Sequence, residues 1–125
     1  MAKIVHFDLQ ATDPEKIIPF YEKAFGWKFN KCPPETCPPD QQYWLIETGP
    51  KDEPGIDGGL SKKGAGPGVN TIGVANLEEV VERVKAEGGE ITMPKMPIPG
   101  VGWIAYFKDP DGNVFGLMQD DKNAK

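Results

Sequence analysis

His6 is the only histidine in the 125-residue chain, and imidazole is the side chain that gains and loses a proton near neutral pH without special help. Asp8 stands two positions later. In extended backbone, positions i and i+2 share a face and lie about 7 Å apart. A carboxylate there can orient the ring, so the pair supports general-base chemistry or hydrogen bonding to a small ligand. The plainer reading of the same residues is a histidine satisfied by its neighbours and a solvated carboxylate. Two cysteines, Cys32 and Cys37, flank the run Pro33-Pro34-Glu35-Thr36 and are followed by Pro38-Pro39. Prolines without backbone donors make this segment a loop. A zinc knuckle needs two more soft ligands, and only His6 remains as a nitrogen donor. Ordinary loop thiols are expected, with a local redox pair as the alternative. No nucleophile–base pair is visible.

The formal charge is −5, and the Lys and Arg residues are scattered. With no basic stripe to neutralise phosphates, nucleic-acid binding is not expected. No apolar run reaches the length of a membrane span. The N-terminus enters a strand pattern without the features of a secretory signal, so a cytoplasmic location is expected.

Val5 to Gln10 alternates apolar and polar residues, as a half-buried strand does. Thr12-Asp13-Pro14-Glu15 supplies a cap, a proline at the first helical position and an acid in the first turn. Ile17, Phe20, Tyr21, Ala24 and Phe25 form the helical stripe, and Gly26 stops it. Strands are expected from Trp27 to Phe29, from Gln42 to Thr48 and around Ile56 to Leu60, where Gly58-Gly59 permits close backbone approach. The order then repeats. Asn70 to Val74 is a strand, and Asn76 caps a helix with the stripe Leu77, Val80, Val81 and Val84. Gly88-Gly89 ends that helix and Glu90 to Met93 opens the next strand. Gly102 to Phe107 pairs with Asn113 to Met118 across Asp109-Pro110-Asp111-Gly112, whose residues suit a hairpin loop.

The helices align at a constant offset: Asp13 with Asn76, Ile17-Ile18 with Val80-Val81, Tyr21 with Val84, Gly26 with Gly89. The chain therefore reads as one α+β domain of two β-α-β-β-β units, about residues 4–61 and 69–119. A linker at about 62–68 joins them, since Gly64-Ala65-Gly66-Pro67-Gly68 lacks the strand and helix context of a phosphate loop. The Pro-rich segment 94–100 is expected to be a loop, either a lid or a dimer contact.

The passage Asp13-Pro14-Glu15-Lys16 through Phe20-Tyr21-Glu22-Lys23-Ala24-Phe25-Gly26-Trp27 resembles the first helix of the vicinal oxygen chelate superfamily. This is the glyoxalase, bleomycin resistance protein and extradiol dioxygenase group. Phe107-Lys108-Asp109-Pro110-Asp111-Gly112-Asn113 resembles its final hairpin, and Gly88-Gly89 is similar too. The resemblance runs roughly from His6 to Gln119. It implies a curled mixed sheet, a half-barrel from two units, around a cavity with helices outside. On that fold Phe7 and Leu9 face a helix while His6, Asp8 and Gln10 face the cavity. Thr71, Gly116 and Met118 face it as well, and Trp103 and Tyr106 are the aromatic members of the pocket.

Metal-dependent members place ligands at four positions. Resemblance carries these onto His6, near Gly59, near Val69 and onto Gly116. Three of the four offer no side-chain donor, and one imidazole does not retain a first-row metal. No cofactor is therefore expected. The alternative is a divalent metal held by His6, Asp8 and Glu47. His6 and Asp8 are the candidate catalytic pair, and Gln10, Thr71, Trp103, Tyr106, Gly116 and Met118 the candidate ligand pocket.

Three functions stay open. The first is a metal-independent glyoxalase-like binding protein or enzyme for a small organic ligand. The second is a divalent-metal-dependent lyase, isomerase or dioxygenase with an atypical ligand set. The third is an interaction module without a ligand. Sheet edges left to cover, and the habit of similar single-domain proteins, imply a homodimer.

Overall fold

Alternating side chains in the first segment produce the strand β1, Ala2–Ala11, longer at its N-terminal end than the pattern alone marks. The computed structural model describes residues 2–33, 42–64 and 68–125. Cys37, most of the proline-rich segment and the middle of the glycine-rich linker lie outside the described residues. Cys32 is described and is disulfide-bonded, which differs from the free loop thiol expected of it.

The chain divides into two compact units. One, His6–Gly68, holds the body of β1, then α1 (Pro14–Phe25), β2 (Lys28–Lys31), β3 (Tyr43–Glu47) and β4 (Asp57–Lys62). Its strand order is β2-β3-β4-β1, with β1 and β4 parallel and the other pairs antiparallel. Pro14 opens α1 because its missing N–H is not needed there. Asp13 makes no side-chain cap bond, so the expected acid cap is absent. Gly26 closes the helix at φ 74°, its N–H donating to the Glu22 carbonyl. Ala11, Trp44, Ile46 and Leu60 are buried, and Phe7, Leu9, Ile17, Ile18, Trp27 and Phe29 pack on them. Phe20 and Phe25 were expected in the helical stripe but are 60% and 62% exposed. They belong to a surface group of rings around Tyr21, which stacks on Trp27 at 5.2 Å.

The other unit is Val69–Lys125 with the described residues before His6. It holds β5 (Thr71–Val74), α2 (Leu77–Ala86), β6 (Glu90–Ile98), β7 (Gly102–Lys108) and β8 (Val114–Asp120). Here β5 and β8 are parallel, and β8-β7-β6 run antiparallel. Asn76 caps α2 as expected, its Oδ1 accepting from Glu79 N–H at 3.1 Å. Val74, Leu77, Ala105 and Leu117 form the core under Ile72, Val80, Val81, Trp103 and Phe107. At the β7–β8 turn the Asp109 carboxylate accepts from the Asn113 side chain and from the Asp111 and Asn113 N–H groups. These donors, the Asn113 side chain foremost, hold its carboxyl below the usual range.

The segment 94–100 is not the loop expected from its prolines. Up to Ile98 it belongs to β6, an edge strand paired to β7 with register breaks between Ile91 and Met93 and between Met93 and Met96. An edge strand leaves one row of N–H groups unpaired, so proline costs little there. Only Pro99 to Val101 forms a turn, with Gly100 at φ 74° and its N–H on the Ala124 carbonyl.

Leu60 has no exposed surface and sits at the centre of the first unit's core. Leu60→Ala is expected to cost about 2–5 kcal/mol in urea unfolding. A loss under about 1 kcal/mol would contradict this packing.

Candidate functional site

The register of β1 against β4 sets His6 beside Asp57, Asp8 beside Gly59 and Gln10 beside Ser61. Register partners point to the same side of a sheet. Antiparallel pairing adds Leu45 beside Gly59 and Tyr43 beside Ser61. Since Phe7, Leu9, Trp44, Ile46 and Leu60 turn to the α1 side, the opposite face carries His6, Asp8, Gln10, Tyr43, Leu45, Glu47, Asp57 and Gly59. Strand parity thus places His6, Asp8 and Gln10 on one face, as the sequence implied.

Two glycines shape what those strands can hold. A β-carbon on Gly58 would strike the Phe7 ring and its carbonyl on the core side. On the other side, a β-carbon on Gly59 would fall onto the hydroxyl end of Tyr43. Tyr43 therefore lies across β4 through the gap that Gly59 leaves, and its Oη reaches His6 Nε2 at 3.1 Å. Asp8 Oδ1 is 3.5 Å from the same nitrogen. The His6 and Asp8 side chains are 30% and 19% exposed, open enough for a ligand to reach.

Residue types alone place Tyr43 only within the strand expected from Gln42 to Thr48, with no link to His6. The available signal was the pair Gly58-Gly59 beside the histidine strand. A close approach was legible, but what approaches depends on β3–β4 register, which residue types do not give. Glu47 shares the face but pairs with Asn30, whose Nδ2 donates to its Oε2 at 3.0 Å on an exposed edge. Among the described residues no three His, Cys, Asp or Glu side chains gather as a metal-holding group. The set His6, Asp8 and Glu47 is therefore not assembled.

In the second unit Thr71 and Tyr106 both pair with Gly116, and Met118 pairs with Gly73 and Ile104. Thr71, Tyr106, Gly116 and Met118 share a face. A β-carbon on Gly116 would meet the Tyr106 ring at 3.0 Å and Thr71 Oγ1 at 3.1 Å. Trp103, placed with Tyr106 in the sequence-based pocket, lies on the opposite face. It has the parity of Ala105 and Phe107, packs on the core under α2, and donates Nε1–H to Asp121 at 3.0 Å.

The donor set does not fit the four-ligand metal arrangement that the resemblance implies. His6 Nε2 faces a phenol, the Gly59 position is filled by the tyrosine that contacts His6, and Gly116 is crowded by Tyr106 and Thr71. Val69 has an apolar side chain.

Residues 3–117 match the model of the Glyoxalase/Bleomycin resistance protein/Dioxygenase superfamily. A lactoylglutathione lyase of Arabidopsis thaliana is 30% identical over 94% of this chain and 44% of its own length. This chain thus spans less than half of that relative. A lactoylglutathione lyase of Escherichia coli O157:H7 is 27% identical, with 94% of this chain and 93% of the relative covered. Among solved structures, a methylmalonyl-CoA epimerase from Mycobacterium tuberculosis superposes with a TM-score of 0.70 at 14% identity, covering 95% of this chain and 88% of that one. A hypothetical protein from Bacillus halodurans C-125 reaches 0.71 at 19% identity, covering 99% and 98%. At these identities the solved structures show the shared fold.

Gly59→Ala is expected to destabilise the protein by about 1–3 kcal/mol, because the new methyl displaces the Tyr43 ring. In a Tyr43→Ala background the same change should cost nothing. Denaturant unfolding of the two single variants and the double variant measures this. An equal cost in both backgrounds would contradict the contact.

Proposed function

The chain belongs to the glyoxalase/bleomycin resistance protein/dioxygenase superfamily, and from that premise we propose that it binds a small organic molecule at the sheet face bearing His6, without a divalent metal. The observation that supports this reading is the Tyr43 ring over Gly59. The position where a second metal donor would stand is taken by a tyrosine that hydrogen-bonds the only histidine. A lone imidazole lacks the chelate partners that retain a first-row ion. His6 then acts as a hydrogen-bonding or proton-accepting group, with Asp8 beside it. A relative is named for lactoylglutathione and a protein of the same fold for methylmalonyl-CoA, so a small organic compound is the ligand class these names favour. Gln10 extends the same face along β1. Thr71, Tyr106, Gly116 and Met118, which share a face of the second unit, are proposed as ligand contacts on that unit.

A cytoplasmic homodimer completes the reading. No helix among the described residues is long and apolar enough to cross a membrane. The edge strands β2 and β6 leave backbone groups that a two-fold partner would cover.

Thermal unfolding with S-lactoylglutathione or methylmalonyl-CoA as probe, with and without EDTA, tests the proposal. At least one probe is expected to raise the melting temperature equally in both conditions, and His6→Ala should abolish the rise while leaving the unliganded protein folded. About one Ni, Zn, Mn or Fe per chain by elemental analysis, with probe binding lost on chelation, would overturn it.

A further inference from the structure

His6 Nε2 has two neighbours that want opposite things of it. The Tyr43 hydroxyl at 3.1 Å can donate into a lone pair. The Asp8 carboxylate at 3.5 Å can only accept a proton. Distance favours the phenol, since 3.1 Å is within hydrogen-bond range and 3.5 Å is at its limit. Chemistry favours it as well. An imidazole lone pair is a better acceptor than a phenol oxygen, whose electrons are drawn into the ring. When Tyr43 donates to Nε2, the proton of the neutral imidazole sits on Nδ1. Among the described residues no hydrogen-bond partner meets Nδ1, and the side chain is 30% exposed. The free donor of the ring is then available to a ligand.

Resting on the metal-free reading above, we infer that Tyr43, admitted by Gly59, is a positioning residue that fixes His6 as the Nδ1–H tautomer, so that the ring donates to an uncharged carbonyl oxygen of the ligand. The charge of the face selects the uncharged acceptor. Asp8, Glu47 and Asp57 share it, and register adds one cation, Lys28 beside Glu47. A carboxylate or phosphate brought to a neutral His6 would meet Asp8 within one ring width. A ketone, ester or amide oxygen would not suffer that repulsion.

Because His6 is the only histidine, its imidazole nitrogens give one unambiguous set of signals in a long-range 15N–1H spectrum. The full chain is recorded at a single alkaline pH where the ring is neutral. Wild type is expected to show a protonated Nδ1 and an unprotonated, hydrogen-bonded Nε2. Tyr43→Phe removes only the hydroxyl and should move the ring toward the Nε2–H form that an imidazole side chain prefers in water. Gly59→Ala, which keeps the phenol but displaces it, should do the same. A wild-type ring already in the Nε2–H form, or a tautomer unchanged in both variants, overturns the inference.

Acetamide and acetate are then titrated as probes to hundreds of millimolar. Acetamide should shift the His6 Nδ1 signal in wild type and do so at least about tenfold more weakly in Tyr43→Phe. Acetate should leave it unmoved. Acetate binding in preference to acetamide, or no acetamide shift, overturns the carbonyl assignment. The tautomer readout needs neither thioester probe nor chelator, so it stands or falls separately from the metal-free reading.

Discussion

A tyrosine ring can cross a neighbouring β-strand only where that strand carries no side chain. Gly59 supplies the gap, flanked by Leu60 buried on the core side and Asp8 in register beside it. Tyr43 lies in the gap and ends on His6. Several features of the face follow from this one steric allowance. The imidazole has a hydrogen-bonding partner, the space beside Gly59 is filled by a ring, and Asp8 stands next to the same nitrogen. Gly58 serves the opposite side in the same way by admitting Phe7 to the core. Adjacent glycines thus let one strand be approached closely from both faces.

Much of the scaffold was legible in the sequence because its signals are local. The Asn76 cap, the Gly26 stop and the Asp109 turn each act within a few residues, and each residue type has one dominant use there. The α+β class with its repeated β-α-β-β-β order follows from the same signals. Failures occurred where neighbours in space decide the outcome. Prolines in 94–98 read as a loop, yet an edge strand with register breaks accommodates them. Phe20 and Phe25 read as core on helical periodicity, but Ile17, Ile18, Trp27 and Phe29 already cover that core, so the two rings lie outside around Tyr21.

The candidate site divides along the same line. Period-2 alternation was enough to put His6, Asp8 and Gln10 on one face. Parity also places Trp103 with Ala105 and Phe107 on the α2 side, away from Tyr106, against the expectation that both line a pocket. The Tyr43–His6 contact joins residues distant in sequence and depends on strand register, so no local pattern announces it. The missing donors at Gly59 and Gly116 were visible at once. What fills those positions depends on strand register, which residue types do not give. A shared superfamily fold therefore coexists here with a face whose donors differ from the four-ligand pattern that the resemblance implies, and a fold does not by itself dictate its site.

The His6 face depends on a real attraction between the Tyr43 hydroxyl and the His6 ring, which a double-mutant cycle isolates from the packing of either residue. Urea unfolding would compare wild type, Tyr43→Phe, His6→Ala and the double variant at a pH where the imidazole is neutral. A coupling of about 0.5–1.5 kcal/mol in favour of the pair is predicted. Additive effects, agreeing within about 0.3 kcal/mol, would contradict the interaction on which the site is built.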